Sequence, residues 1–219
     1  MYDSSVNKEA KVVPELQPRK IPAQKRSEKT VNHILDTSAK LLDEVGYDRF
    51  NTNLLAERAN VRINTVYRYF PNKLAILSAL INRWLDLVKE NLSFWEDFAD
   101  QSMGWREIVC ETLDVYHNLA QEQPGFTSIR RAMQSVPELR EMELDLVVEL
   151  SQIMVEGLKT RELPFPNRRL FTASGMWMMT AAAGYDLIWL AASRDNSYEA
   201  EIMDELKLNA TSYLANYLD

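Results

Sequence analysis

The stretch Phe50–Leu77, FNTNLLAERANVRINTVYRYFPNKLAIL, decides the fold. Its apolar residues recur at helical spacing in two short runs. Thr52–Arg58 predicts one short helix, capped by Asn51 or Thr52, with Leu54, Leu55 and Ala59 facing inward. Ile63–Phe70 predicts a second, ended by Pro71. Only a tight turn at Asn60-Val61-Arg62 joins them, which is helix-turn-helix spacing. Asn60 falls where the chain needs a positive φ, a conformation Asn tolerates better than most residues. Ala56 is small enough for the second helix to cross closely, and Val61 can fill the gap beneath the turn. Val66 and Phe70 then point inward, while Ile63, Asn64, Thr65 and Arg68 point outward.

Upstream, Val31, Ile34, Leu35, Ser38, Leu41, Leu42 and Val45 predict a long helix capped by Ser27 and stopped by Gly46. His33 lies off that stripe and reads as solvated. Residues 1–26, with Pro14, Pro18 and Pro22, read as a flexible arm carrying Arg19, Lys20, Lys25 and Arg26. Downstream, Asn72 caps a long helix through Leu74, Leu77, Leu80, Ile81, Trp84 and Val88. Further helices are predicted from Trp105 to Ala120, near Phe126–Met133, from Pro137 to Leu158, over Asn167–Ala192 and over Tyr198–Tyr217. With no β pattern and no internal repeat, the fold class is all-α. The boundaries read as an arm over 1–26, a helix-turn-helix domain over 27–72 and a larger helical domain over 73–219.

Composition narrows the function classes. One cysteine, Cys110, excludes an intrachain disulfide and a thiolate metal cluster within one chain, and fits a reducing cytosol. Two histidines are too few for a typical zinc site, so no metal ligands and no cofactor are expected. The longest charge-free apolar stretch, Leu170–Tyr185, has 16 residues. A membrane span needs roughly 20. No phosphate-binding glycine loop or nucleophile elbow is present, and Cys110 and His117 stand seven residues apart, so no catalytic residue is expected. The formal net charge of −7 argues at first against a nucleic-acid partner. That charge is segregated, however. Residues 1–77 carry 13 Lys and Arg against 9 Asp and Glu, a net of +4. Residues 78–219 carry 12 against 23, a net of −11. A basic module on an acidic body fits nucleic-acid binding.

Gly46, Thr52, Leu55-Ala56, Ala59, Val61, Thr65-Val66-Tyr67, Tyr69-Phe70, Lys73 and Leu77 together resemble the DNA-binding domain of the TetR/AcrR family of one-component bacterial regulators. The motif covers roughly residues 27–80. Asn60, Arg62 and Asn64 depart from the Gly, Ser and Gly usual there, and Tyr69 stands where His is commonest. The resemblance implies a cytoplasmic, homodimeric repressor released from a palindromic operator by a small, largely hydrophobic or amphipathic effector. A DNA-binding regulator controlled by a protein partner instead is the alternative. Thr52, Tyr67, Tyr69 and Lys73 are then the expected phosphate contacts. Ile63, Asn64, Thr65 and Arg68 are the expected major-groove readers, with Arg62 an added donor for phosphate or guanine. Homodimerisation is expected through the last two helices: Ala181–Gly184 permits close approach, and Met203, Leu206, Ala210, Tyr213, Leu214 and Tyr217 form a stripe. Candidate effector contacts are Trp105, Tyr116, His117, Phe126, Met154, Trp177, Met178, Tyr185 and Asp186, with Trp95 and Met103 among the further adaptable apolar groups. The same residue types suit a plain helical core. Asp186, inside an apolar helix, needs a partner or a cation. Arg130-Arg131 could meet an anionic ligand, but a solvated pair is the preferred reading.

Overall fold

The computed structural model describes residues 15–20, 24–91, 98, 104–192 and 198–219. Trp95, Met103, residues 1–14 and residues 21–23 lie outside that set. Nine α-helices lie among the described residues: α1 (Lys25–Arg49), α2 (Thr52–Arg58), α3 (Ile63–Tyr69), α4 (Lys73–Asn91), α5 (Trp105–Glu122), α6 (Phe126–Ser135), α7 (Pro137–Leu158), α8 (Asn167–Ala192) and α9 (Glu199–Leu218). No strand occurs among the described residues, as an all-α chain requires.

The local chemistry of the helix ends is visible. Asn51 caps α2 by accepting the Leu54 N–H at 3.0 Å. The Asn72 side chain accepts the Ala75 N–H at 2.9 Å, so α4 starts where its cap predicts. Pro137 opens α7 at its first turn, where a missing N–H costs nothing. Two ends differ from expectation. Ser27 is not the cap of α1. Gln24 is, and Ser27 sits three residues on, closing a capping box back onto the Gln24 backbone. Gly46 (φ +73°) breaks the helical path, yet a last turn continues to Arg49 before Phe50 enters the core.

The arm also differs where it is described. Leu16 packs on the N-terminal core, the Arg19 N–H donates to the Tyr69 carbonyl at 2.8 Å, and the Asn72 side chain donates to the Glu15 carbonyl at 3.0 Å. One apolar residue, one backbone bond and one side-chain bond seat residues 15–20 against the α3–α4 junction.

Two apolar cores are stacked along α4. The first gathers Ile34, Leu41 and Leu42 of α1 with Phe50, Leu55, Val66 and Phe70, and with Ala75–Leu77, Leu80 and Ile81 of α4. It also takes in Ile129, Ala132 and Met133 of α6, together with Val136 and Leu139. The second begins at Trp84 and Val88 of α4 and is filled by α5, α7, α8 and α9. The division between the two cores falls within α4, after Ile81. Helix α6 bridges the two: Ile129, Ala132 and Met133 pack with the first three helices, while Phe126 at its start is buried in the second core.

That docking is close. Gly125 precedes α6 with φ +79°, and a Cβ there would stand 2.7 Å from the Ala39 carbonyl oxygen of α1. Asp43 of α1 accepts the Gly125 N–H at 2.6 Å and the Ser128 hydroxyl at 3.2 Å. Helix α9 packs on α8 through a side chain instead: a Cβ on Gly184 would meet the Leu206 Cδ1 methyl at 2.6 Å.

Candidate nucleic-acid interface and internal cavity

The α2–α3 turn is built as its sequence requires. Asn60 has φ +50°, the Val61 N–H donates to the Ala56 carbonyl at 3.0 Å, and Ala59 is buried. His33 is not merely solvated. Its Nε2 lies 2.9 Å from the Ala59 carbonyl and ties α1 to the turn. That bond spans 26 residues, so helical periodicity gives no sign of it.

Helix α3 turns Val66 into the core and leaves Asn64, Tyr67 and Arg68 exposed, with Ile63 and Thr65 half-buried. Arg62 is exposed at the start of α3 and makes no capping bond. The Thr52 hydroxyl lies 3.0 Å from the Tyr67 hydroxyl, so the start of α2 and the outer face of α3 present one pair of polar groups. Arg19 and Lys20 are exposed beside the end of α3, where the arm is seated. Thr52, Asn64, Tyr67 and Arg68 thus present polar and basic groups together, with Arg19 and Lys20 exposed near the end of α3.

Two expected phosphate contacts differ. Tyr69 is only 6 % exposed and its ring belongs to the first core, so it does not stand with Tyr67 on the outer face. Successive helical residues are about 100° apart, and Val66, Tyr69 and Phe70 share the inward side. Lys73 is half-buried. Its Nζ donates to the Tyr47 carbonyl at 2.5 Å and lies 3.7 Å from the centre of the Tyr47 ring. Burial lowers its pKa from the ordinary lysine value, with Asp48 acting the other way. Two ammonium protons remain for a phosphate.

The second core encloses a cavity of about 90 Å³ between α4, α5, α6, α7 and α8. Tyr116, Trp177, Met178 and Tyr185 line it, as their residue types suggest. The other candidates lie elsewhere. Trp105 is buried beside the C-terminus, where its indole donates to Asp219 at 3.2 Å. His117 faces α9, with Nε2 2.8 Å from Glu199 and 2.8 Å from Gln121. Met154 is plain core, 1 % exposed. Phe126 supports the cavity from outside: its ring lies 4.3 Å from Trp84 and 4.7 Å from Trp189.

Asp186 also lies behind the wall, and the partner it requires is Arg130. The Arg130 Nε donates to Asp186 Oδ1 at 2.9 Å, and Nη2 donates to Oδ2 at 3.1 Å. Nη1 donates to Glu143 at 2.6 Å. Arg130 is therefore 7 % exposed rather than solvated, and only Arg131 is free in water. Burial alone would pull the guanidinium pKa down, but Tyr116, Asp186 and Glu143 around it more than reverse that effect. Burial pushes Tyr116 up to about 12, against the pull of Arg130, and holds Tyr185 well above an ordinary tyrosine. Both are neutral hydrogen-bonding groups at pH 7, and Tyr185 donates to the Leu113 carbonyl at 2.6 Å.

Sequence reasoning missed Trp84 and Glu143 as cavity residues and favoured solvent over the cavity for Arg130. A signal existed for Glu143. It lies four residues after Leu139 and three before Leu146, on the apolar side of α7, where a carboxylate has to be paired.

Comparison with known proteins agrees with this architecture. Residues 34–80 match the family model described as bacterial regulatory proteins, tetR family. Residues 103–218 match the tetracyclin repressor-like C-terminal domain. Among solved structures, a TetR-family transcriptional regulator from Streptomyces coelicolor is 28 % identical with a TM-score of 0.64, covering 86 % of this chain and 99 % of that one. SmeT, the repressor of the Stenotrophomonas maltophilia multidrug efflux pump SmeDEF, shares the fold with a TM-score of 0.66 at 16 % identity, covering 88 % of this chain and 92 % of SmeT. The HTH-type transcriptional repressor KstR of Mycolicibacterium smegmatis is 38 % identical over 50 residues, which is 23 % of this chain and 24 % of KstR. That match therefore spans about a quarter of the curated relative's own length. No helix among the described residues is long and apolar enough to cross a membrane. With the two family models matched in order along its length, the chain belongs to the TetR family and is a DNA-binding transcriptional regulator, not an enzyme.

Proposed function

We propose that the protein is a homodimeric repressor acting in the cytoplasm. In this reading it binds a palindromic operator through α2 and α3 and leaves it when a small, largely hydrophobic or amphipathic effector occupies the cavity. The repressor sense draws on KstR, whose similarity lies in 50 residues of this chain. Thr52, Tyr67 and Lys73 contact phosphates, helped by Arg19 and Lys20. Asn64, Thr65 and Arg68 face base edges, with Ile63 toward a thymine methyl and Arg62 toward phosphate or guanine.

The observation that carries the regulatory reading is the position of α6. One side of it supplies Arg130 and Met133 to the cavity wall. Its N-terminus is held to α1 through Gly125, Ser128 and Asp43. An effector that fits one placement of α6 better than another shifts the equilibrium between α1 orientations. The two recognition helices of a dimer must span half-sites about 34–36 Å apart, so a small rotation weakens binding. Helix α4 joins the same two cores and moves with it.

The dimer contact is best supported on α8. Met176, Leu187 and Leu190 are exposed on its outer side, whereas Met203, Leu206, Ala210 and Leu214 of α9 are buried within the chain. Leu208 is the large apolar residue that α9 leaves exposed among the described residues. A second copy packed across α8, with α9 at the margin, covers that face.

The test is a melting-shift screen of small hydrophobic compounds, followed by release of the protein from selected operator DNA. Compounds that raise the melting temperature are expected to lower DNA affinity. Stabilisation without any change in DNA affinity would remove the coupling.

A further inference from the structure

We infer that the cavity is built for a compact cationic effector, an aromatic or aliphatic amine, rather than for an anionic one. The inference rests on the effector-release reading above and sharpens it.

Arg130 and Glu143 line one end of the cavity, and Asp186 pairs with Arg130 from behind that wall. Their sum is one negative charge. The guanidinium offers little to an anion, because it already donates to both Asp186 oxygens and to Glu143. An incoming carboxylate would have to displace Glu143 from Arg130 and leave that side chain buried without a partner, which is costly. Glu143 itself lines the cavity, with its side chain 13 % exposed, and accepts the Arg130 Nη1–H through Oε1. A carboxylate has about four lone-pair sites, so an ammonium can be accepted without breaking the ion pair.

The other walls suit the same guest. Trp84, Tyr116, Trp177 and Tyr185 line the cavity, with Tyr116 4.6 Å from Tyr185 and 5.7 Å from Trp84 between ring centres. Aromatic faces attract a cation, more strongly when it is desolvated. The volume is also informative. About 90 Å³ is smaller than the roughly 150 Å³ of an apolar cavity known to accept benzene. A guest of ring size enters only as the surrounding helices separate, and α4 and α6 are two of them.

The test compares benzylammonium, benzyl alcohol and benzoate, which share a ring and differ in charge. Binding to the full chain without DNA is followed by tryptophan fluorescence and by the indole N–H signals of Trp84 and Trp177. The expected result is at least tenfold tighter binding of benzylammonium than of benzyl alcohol, with benzoate weakest. Glu143→Gln should remove that preference. Asp186→Asn deletes an equal charge outside the cavity and should weaken benzylammonium less than threefold. Benzoate or benzyl alcohol binding as tightly as benzylammonium would overturn the inference, as would equal losses in the two variants. Because no DNA is present, either failure leaves effector-driven release to be judged by its own assay.

Discussion

Replacing Gly125 by Ala measures how firmly α6 is seated on α1, the joint through which the cavity reaches the DNA-binding helices. Gly125 has φ +79°, and a Cβ there would lie 2.7, 2.9 and 3.0 Å from the O, Cα and C atoms of Ala39. Those are backbone atoms of a helix, so relief requires the two helices to move apart. The left-handed conformation costs an Ala about 1–2 kcal/mol. Separation also breaks the Gly125 N–H bond to the Asp43 carboxylate, now 2.6 Å long. A bond to a charged acceptor contributes about 1.5–3 kcal/mol. The expected total is about 2.5–5 kcal/mol. Gly46→Ala is the control, because its φ is +73° but a Cβ there meets nothing within 4 Å. It should cost only the conformational part, about 1–2 kcal/mol. Urea unfolding at one fixed protein concentration gives both values, and operator affinity is measured alongside. If Gly125→Ala costs no more than Gly46→Ala, the described contact between α6 and α1 is wrong.

Three further outcomes are expected. Tyr67→Phe, at an exposed position, should leave stability within about 0.5 kcal/mol. It should weaken operator binding by about 2 kcal/mol over two half-sites, ~30-fold, whereas Tyr69→Ala should unfold the first core at a cost of about 3–5 kcal/mol. Tyr116 is raised from 10.0 to about 12, so above pH 10 the unfolded chain loses this proton more readily than the folded one. Stability should therefore fall by about 2 kcal/mol between pH 10 and pH 12 from this group, a loss that Tyr116→Phe abolishes in alkaline unfolding curves. Burial raises the Cys110 pKa above 9.0, so its alkylation by iodoacetamide should still accelerate at pH values where an ordinary thiol has levelled off.

The helix-turn-helix was legible because its information is local. Asn51 and Asn72 cap their own helices, Pro71 ends one, and Asn60 takes the positive φ its type permits. The seating of α6 in the first core was not legible, because Ile129, Ala132 and Met133 show only that the helix has an apolar side, not which core receives it. The cavity was half legible for a related reason. Trp177 and Tyr185 line it while Met154 and Trp105 do not, and nothing in residue type separates them. Arg130 was misread because its two partners lie 13 and 56 residues away. His33 and Tyr69 were misread at single positions, where one contact across the fold decides between water and core.

The most direct test of the account is equilibrium binding of the full chain to a palindromic duplex recovered by selection from random DNA, compared with a scrambled duplex as salt rises from 50 to 200 mM. The account predicts at least a thousandfold preference for the palindrome, in the range of ~10³–10⁷ typical of specific readers. It also predicts an affinity that falls steeply with salt as phosphate contacts release counterions. Equal binding to both duplexes, or an affinity indifferent to salt, would contradict it.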